Sequence, residues 1–167
     1  MRYLFALYAI LVCTTAFGQS FSISPRIGLV PYSEPREVSY PEELKLAPGA
    51  LFGIKFAHEA KRFQAGLTID WFQLKYINAF VNPALIVNYK TNSSQMFFFF
   101  GGHIGFLIPD HVYPGISAGV QAGGQVELAP HFHACVEASF RYANFRGYYD
   151  RITFFYYPMV FSLKYQI

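Results

Sequence analysis

The chain has 167 residues and a net charge of +3, and it is 53% hydrophobic, 20% aromatic and only 14% charged. That length fits one domain, and the charge content falls well below the roughly 25% usual for soluble domains. No basic run is present, so nothing points to nucleic acid.

Residues 1–18 have the form of a secretory leader. Arg2 gives the positive end, residues 4–12 are a short apolar run, and Ala16-Phe17-Gly18 places small residues at −3 and −1. Cleavage before Gln19 is expected, leaving a net charge of +2 and a single domain over residues 19–167. Cys13 fits a lipoprotein site poorly, because Val12 is not small and Leu11 is bulky. Only Cys135 would remain in the mature chain, so no intramolecular disulfide is expected. Beyond residue 18 there is no uninterrupted apolar run of about 18 residues, the length of a helical span. A secreted chain this apolar still needs a place for its surface. A closed transmembrane barrel supplies one, because its backbone is satisfied internally in lipid.

Residues 21–30 alternate Phe21, Ile23, Pro25, Ile27 and Leu29 with Ser22, Ser24, Arg26, Gly28 and Val30, which predicts a first strand. Pro25 removes one ladder donor from it. Residues 31–48 carry four prolines and six charges and predict a long exposed loop. Residues 50–58 and 63–72 predict a hairpin around the polar turn Glu59-Ala60-Lys61-Arg62. In it, Phe52, Ile54 and Phe56 oppose Leu51, Gly53, Lys55 and Ala57, and Leu67, Ile69 and Trp71 oppose Thr68, Asp70 and Phe72. A fourth strand is predicted over residues 79–90, followed by the turn at 91–95.

Residues 96–108 are a fifth strand whose phase is blurred by the run Phe97-Phe98-Phe99-Phe100. The favoured phase turns Met96, Phe98, Phe100, Ile104 and Phe106 outward and His103 inward. Residues 115–128, GISAGVQAGGQVEL, alternate an apolar set with Ser117, Gly119, Gln121, Gly123, Gln125 and Glu127. That polar face is small and amide-rich, which suits the inside of a narrow barrel better than solvent. Strands at 132–142 and 152–167 complete the set, separated by a loop at 143–151.

The expectation is an all-β fold: an eight-stranded antiparallel up-and-down transmembrane barrel behind a signal peptide. Connections after strands two, four and six are short, and those after one, five and seven are longer. The connection at 74–79 is the exception. This asymmetry places both termini on the periplasmic side. Trp71, Tyr89, Tyr142 and Tyr165 are placed to form aromatic girdles.

The inward set holds Arg26, Lys55, Asp70, His103, Gln121, Gln125, Glu127, His133, Glu137, Arg141 and Lys164. Buried charges without partners are costly, so an ion-pair network inside the barrel is expected, with Gln121, Gln125 and Glu127 meeting Arg26, Lys55, Arg141 or Lys164. Eight strands leave room for side chains rather than for a solute pore. His133, Glu137 and Ser139 share one strand face, but residues spaced by two do not converge on one reacting atom. No catalytic residue, cofactor or metal ligand is expected; His103 has no spaced partner set, and His131 and His133 alone are a weak signal. A lipid-modifying enzyme using His133 or His103 with Glu137 is the alternative reading. A soluble lipocalin-like barrel would need an apolar interior, and the polar faces argue against it. Arg146, Tyr148, Tyr149 and Arg151 form the best external contact candidate, as Tyr and Arg suit interfaces.

The leader, the eight amphipathic strands and the aromatic-rich last strand together resemble small outer-membrane barrels of the OmpA-transmembrane-domain and OmpX type. More narrowly, the chain is similar to the outer membrane protein β-barrel domain proteins of Bacteroidota, where Gln at +1 of the leader is common. The likeness spans the mature chain and rests on pattern. It implies a location in the cell outer membrane, contact with its lipids, and insertion by the barrel-assembly machinery through the last strand. Phe161, Leu163 and Tyr165 fit that insertion signal, whereas Ile167 stands where Phe is usual. The His-x-Ser-Asn motif of lipid A deacylases, which are also eight-stranded barrels, is absent.

Overall fold

The computed structural model describes residues 20–31, 33–37, 49–74, 77–91, 96–109, 113–146 and 151–167. The expected leader, most of the 31–48 loop, and Tyr148 and Tyr149 lie outside the described residues. Ten strands are described: β1 (Ser20–Val30), β2 (Ser33–Glu37), β3 (Gly49–Glu59), β4 (Phe63–Leu74), β5 (Ile77–Lys90), β6 (Met96–Pro109), β7 (Gly115–Ala129), β8 (Phe132–Arg146), β9 (Arg151–Tyr156) and β10 (Met159–Gln166). They form one antiparallel sheet in the order β10-β1-β3-β4-β5-β6-β7-β8-β9-β2, and an additional β8–β10 pairing closes it. β1 and β2 share one stave and β9 and β10 share another, so the wall is a closed eight-stranded barrel. Closure removes the exposed sheet edge that invites aggregation.

Three departures from the sequence reading go beyond a shift of one or two residues at a strand end. Ser33–Glu37, expected within a loop, is strand and pairs with β9, its register shifting between Pro35 and Glu37. The last strand, expected to be continuous from residue 152, is split at Tyr157-Pro158. Pro158 has no N–H to donate, but its carbonyl still accepts from Ser139 N at 3.0 Å. β8 runs to Arg146 rather than ending at Tyr142, because Ala143 and Phe145 continue the inward alternation and are buried.

At the opposite end the turns are tight. His131 takes a left-handed conformation (φ 71°) between β7 and β8. Its carbonyl accepts from Gln166 N at 2.8 Å, which ties the turn to the end of β10. Phe21 and Ile167 exchange two backbone hydrogen bonds at 3.2 and 2.8 Å, seaming β1 to the chain's last residue.

Alternation is continuous through β6: Met96, Phe98, Phe100, Ile104 and Phe106 are exposed and His103 is buried. Outward aromatics gather toward both ends of the wall. Phe21–Phe56, Phe63–Tyr89 and Phe132–Tyr165 pair near the tight turns; Phe52–Trp71, Phe140–Phe155 and Tyr142–Phe155 pair nearer the opposite end.

Inward positions fall into two regimes. Toward the end away from the tight turns they are apolar, and Leu51, Phe72, Phe80, Leu107, Phe145, Phe154 and Tyr156 pack into one buried cluster. Phe72 stacks on Phe80 and Tyr156 with ring centroids 5.3 and 5.2 Å apart, so β4, β5 and β9 meet across the lumen. Below this plug the lumen is polar.

Candidate functional site

The polar lumen is built from the strand period. Every second residue of each strand points inward, so short motifs on different strands deliver charges to one narrow space. Its upper part is an ionic cluster from β1, β3, β4 and β8. Arg26 donates through Nη2 to Glu137 Oε1 at 2.7 Å, and its Nη1 lies 3.2 Å from Asp70 Oδ1. Arg141 donates to Asp70 Oδ2 at 3.0 Å, and Lys55 to Glu137 Oε2 at 3.0 Å. Three cations thus surround two carboxylates, and Arg141 and Asp70 are 1% and 0% exposed.

Neutral groups extend this cluster. Arg141 also donates to Asn82 Oδ1 and Ser139 Oγ, both at 3.2 Å. Asn82 in turn donates to Ser117 Oγ at 2.7 Å. The Arg141 guanidinium lies 5.9 Å from the Tyr156 ring centroid, so the ionic cluster leans directly on the apolar plug.

A second cluster sits nearer the tight turns, around Glu59. Its carboxylate accepts from Lys90 (2.7 Å), Lys164 (3.4 Å), Gln64 (2.5 Å) and Ser22 (3.0 Å). Lys164 also donates to Gln125 Oε1 at 3.0 Å. A chain of amides, Gln121 to Asn88 and Asn88 to Gln64, each 2.7 Å, runs from the middle of the lumen down to this cluster.

The glycines of β7 make room for these side chains. A Cβ on Gly119 would stand 2.7 Å from His103 Cε1 and 2.2 Å from the Phe140 carbonyl. One on Gly123 would stand 2.6 Å from Phe99 Cζ. Gly124, on the outer face, has no neighbour closer than 3.6 Å.

Of the residues singled out from sequence, Arg26, Lys55, Asp70, Glu137 and Arg141 meet in the upper cluster, and Gln125 and Lys164 belong to the lower one. Gln121 joins Asn88 rather than a cation. Glu127 departs from expectation. It is exposed at the mouth, where the register shifts between Glu127 and Ala129, and it makes no ion pair among the described residues. Arg146 is exposed at the end of β8, paired in backbone register with Arg151.

Glu59, Gln64, Asn82, Asn88 and Lys90 are members of the lumen network that the sequence reading did not assign. The signal for Glu59 was present: it shares inward parity with Lys55 and Ala57, and extending the alternation one residue past His58 reaches it. His133 and Glu137 do not converge. Glu137 is held by Arg26 and Lys55, while His133 stands in register with Glu127 and Lys164. His103 is buried with both ring nitrogens lacking a hydrogen-bond partner among the described residues. Among the described residues no group of three or more His, Cys, Asp or Glu is placed to hold a metal ion. No helix among them is long and apolar enough to cross a membrane, which says nothing of a barrel.

The fold and this site define a closed antiparallel barrel of eight strands with buried ion pairs in its lumen. A solved structure shares that fold. The chain is similar to Neisserial surface protein A, with a TM-score of 0.68 and 9% identity over 89% of this chain and 97% of that one. The solid-state NMR structure of the outer membrane protein AlkL in lipid bilayers aligns with a TM-score of 0.49 and 11% identity, over 89% of this chain and 90% of that one. No family model matches the chain, and no curated protein matches its sequence.

Proposed function

We propose that the protein is a non-enzymatic outer-membrane barrel without a solute pore, serving a structural or surface-contact role through its outward loops. The observation that carries this reading is the inversion of the usual distribution of polarity. Arg141, Asp70 and Lys164 are buried inside, while Leu85, Val120 and Ile104 are 62%, 62% and 64% exposed on the outer wall. A soluble barrel with that surface would expose an apolar patch all round, far beyond what monomers tolerate. A lipid-facing wall requires it. The likeness in fold to Neisserial surface protein A is consistent with such a setting.

The absence of a pore rests on the plug of Phe72, Phe80, Phe154 and Tyr156 above the ionic clusters. A non-catalytic role is favoured because the inward carboxylates Glu137 and Glu59 are each committed to two or more cations. In this reading outer-membrane lipids and the barrel-assembly machinery are the partners, and Arg146, Tyr148, Tyr149 and Arg151 offer the surface contact. Cell fractionation with heat-modifiable migration on gels tests the proposal. Recovery in the outer membrane with a faster-migrating unheated band is expected. A detergent-free soluble protein with no gel shift would overturn it. Replacing residues 146–151 with Gly and Ser tests the surface role separately, and unchanged surface binding would remove that clause.

A further inference from the structure

The mouth of the barrel at the Ser20 and Ile167 end is a cavity of about 650 Å³. The charged and titratable side chains that line it are Lys61, Lys90, Lys164, His131 and His133, against Glu59 and Glu127. Their hydrogen bonding is unbalanced in one direction. The Glu59 carboxylate already takes four donors, Ser22, Gln64 and Lys164 on Oε1 and Lys90 on Oε2. An ammonium has three donors. Among the described residues Lys90 commits one of them, to Glu59, and Lys164 two, to Glu59 and Gln125. His133 is only 8% exposed, and its Nδ1 has no partner among the described residues. Among the described residues two ammonium donors of Lys90 and one of Lys164 are therefore uncommitted, around a space whose one buried carboxylate already takes four donors. Glu127 is the remaining acidic group, and it lies exposed at the outer rim.

We propose that this mouth is a binding site for a phosphate group, held by the ammonium groups of Lys90 and Lys164 and by the imidazole of His133. Paired ammonium donors and an imidazole supply the charge-assisted hydrogen bonds that a phosphate's several oxygens accept. The space is many times larger than one phosphate, so the group can be carried by a larger molecule. The half-buried Phe97 on the same wall offers that remainder an apolar contact. Glu127 at the rim opposes the anion and sets the affinity from outside.

The test uses the full mature chain refolded in a phosphate-free detergent, with the gel shift of every variant confirming the fold. Two probes are titrated, inorganic phosphate and glycerol 3-phosphate, and binding is read from the 15N shifts of His133 and from 31P line width. Saturable binding is expected. Lys90→Gln and His133→Asn are each expected to weaken it by about tenfold, the scale of one charge-assisted hydrogen bond. Glu127→Gln is expected to tighten it, a gain that a merely structural role for these residues would not give. Binding of both probes assigns the site to free phosphate; binding of glycerol 3-phosphate alone assigns it to a lipid-type headgroup. No saturable change with either probe, or a response unaltered in Lys90→Gln and Glu127→Gln, would overturn the proposal.

Discussion

Arg141 and Asp70, 71 positions apart in the chain, meet at 3.0 Å in the middle of the lumen. The contact joins β8 to β4 across the barrel and exists only once the wall has closed. Asp70 is shared with Arg26 and Glu137 is shared with Arg26 and Lys55, so five side chains from four strands settle their charges together. Such a group specifies one register, because sliding any strand by two residues separates it from its partners.

Removing one member leaves an uncompensated buried charge. Asp70→Asn is expected to cost about 3–5 kcal/mol in urea unfolding from lipid vesicles. Adding Arg141→Gln is expected to recover part of that loss. A double variant as weak as the sum of the two single variants would show that the residues do not act as a unit.

The β7 glycines separate inner from outer space. Gly119→Val is expected to abolish the gel shift of the folded form, since its Cβ would overlap His103 and the Phe140 carbonyl. Gly124→Ala, on the outer wall, is expected to fold as the parent does. Equal behaviour of the two variants would contradict the inward assignment of Gly119.

Phe80 touches Phe72, Phe145 and Phe154 in the plug. Phe80→Ala is expected to destabilise the barrel by about 3–5 kcal/mol, the range for emptying an aromatic site in a packed core. Urea midpoints measure it, and an unchanged midpoint would argue that the cluster is loosely packed.

The wall was legible because its signal is local. Period-two alternation in β3, β4 and β7 assigns inside and outside from neighbouring residues alone, and even the Phe97–Phe100 run kept a single phase. What was not legible depends on partners distant in sequence. The Ser33–Glu37 segment, with Pro35 at its centre, reads as loop, and becomes strand because β9 offers it a ladder. Glu59 reads as a turn residue beside Lys61 and Arg62, and becomes the centre of a cluster because Lys90 and Lys164 arrive from other strands. The plug was hidden for a similar reason. Leu51 and Phe72 have inward parity, but only the stagger of the strands brings them to one level with Phe154 and Tyr156.

The outer face should tolerate charge poorly at mid-wall. Leu85 is exposed on β5, flanked across the sheet by Leu67 and Ile104. Leu85→Arg is expected to cost about 2–4 kcal/mol in vesicles, whereas Thr91→Arg, beyond the end of β5, is expected to cost about 0–1 kcal/mol. Equal costs would place both positions in the same medium.

Whether the apolar outer wall faces lipid can be read from the chain's one tryptophan. Trp71 points outward on β4 beside Phe52 and is 39% exposed. In vesicles of lipids brominated on their acyl chains, strong quenching of Trp71 fluorescence is expected, with little quenching by aqueous iodide. Full iodide quenching with no effect of the brominated chains would contradict a lipid-facing wall.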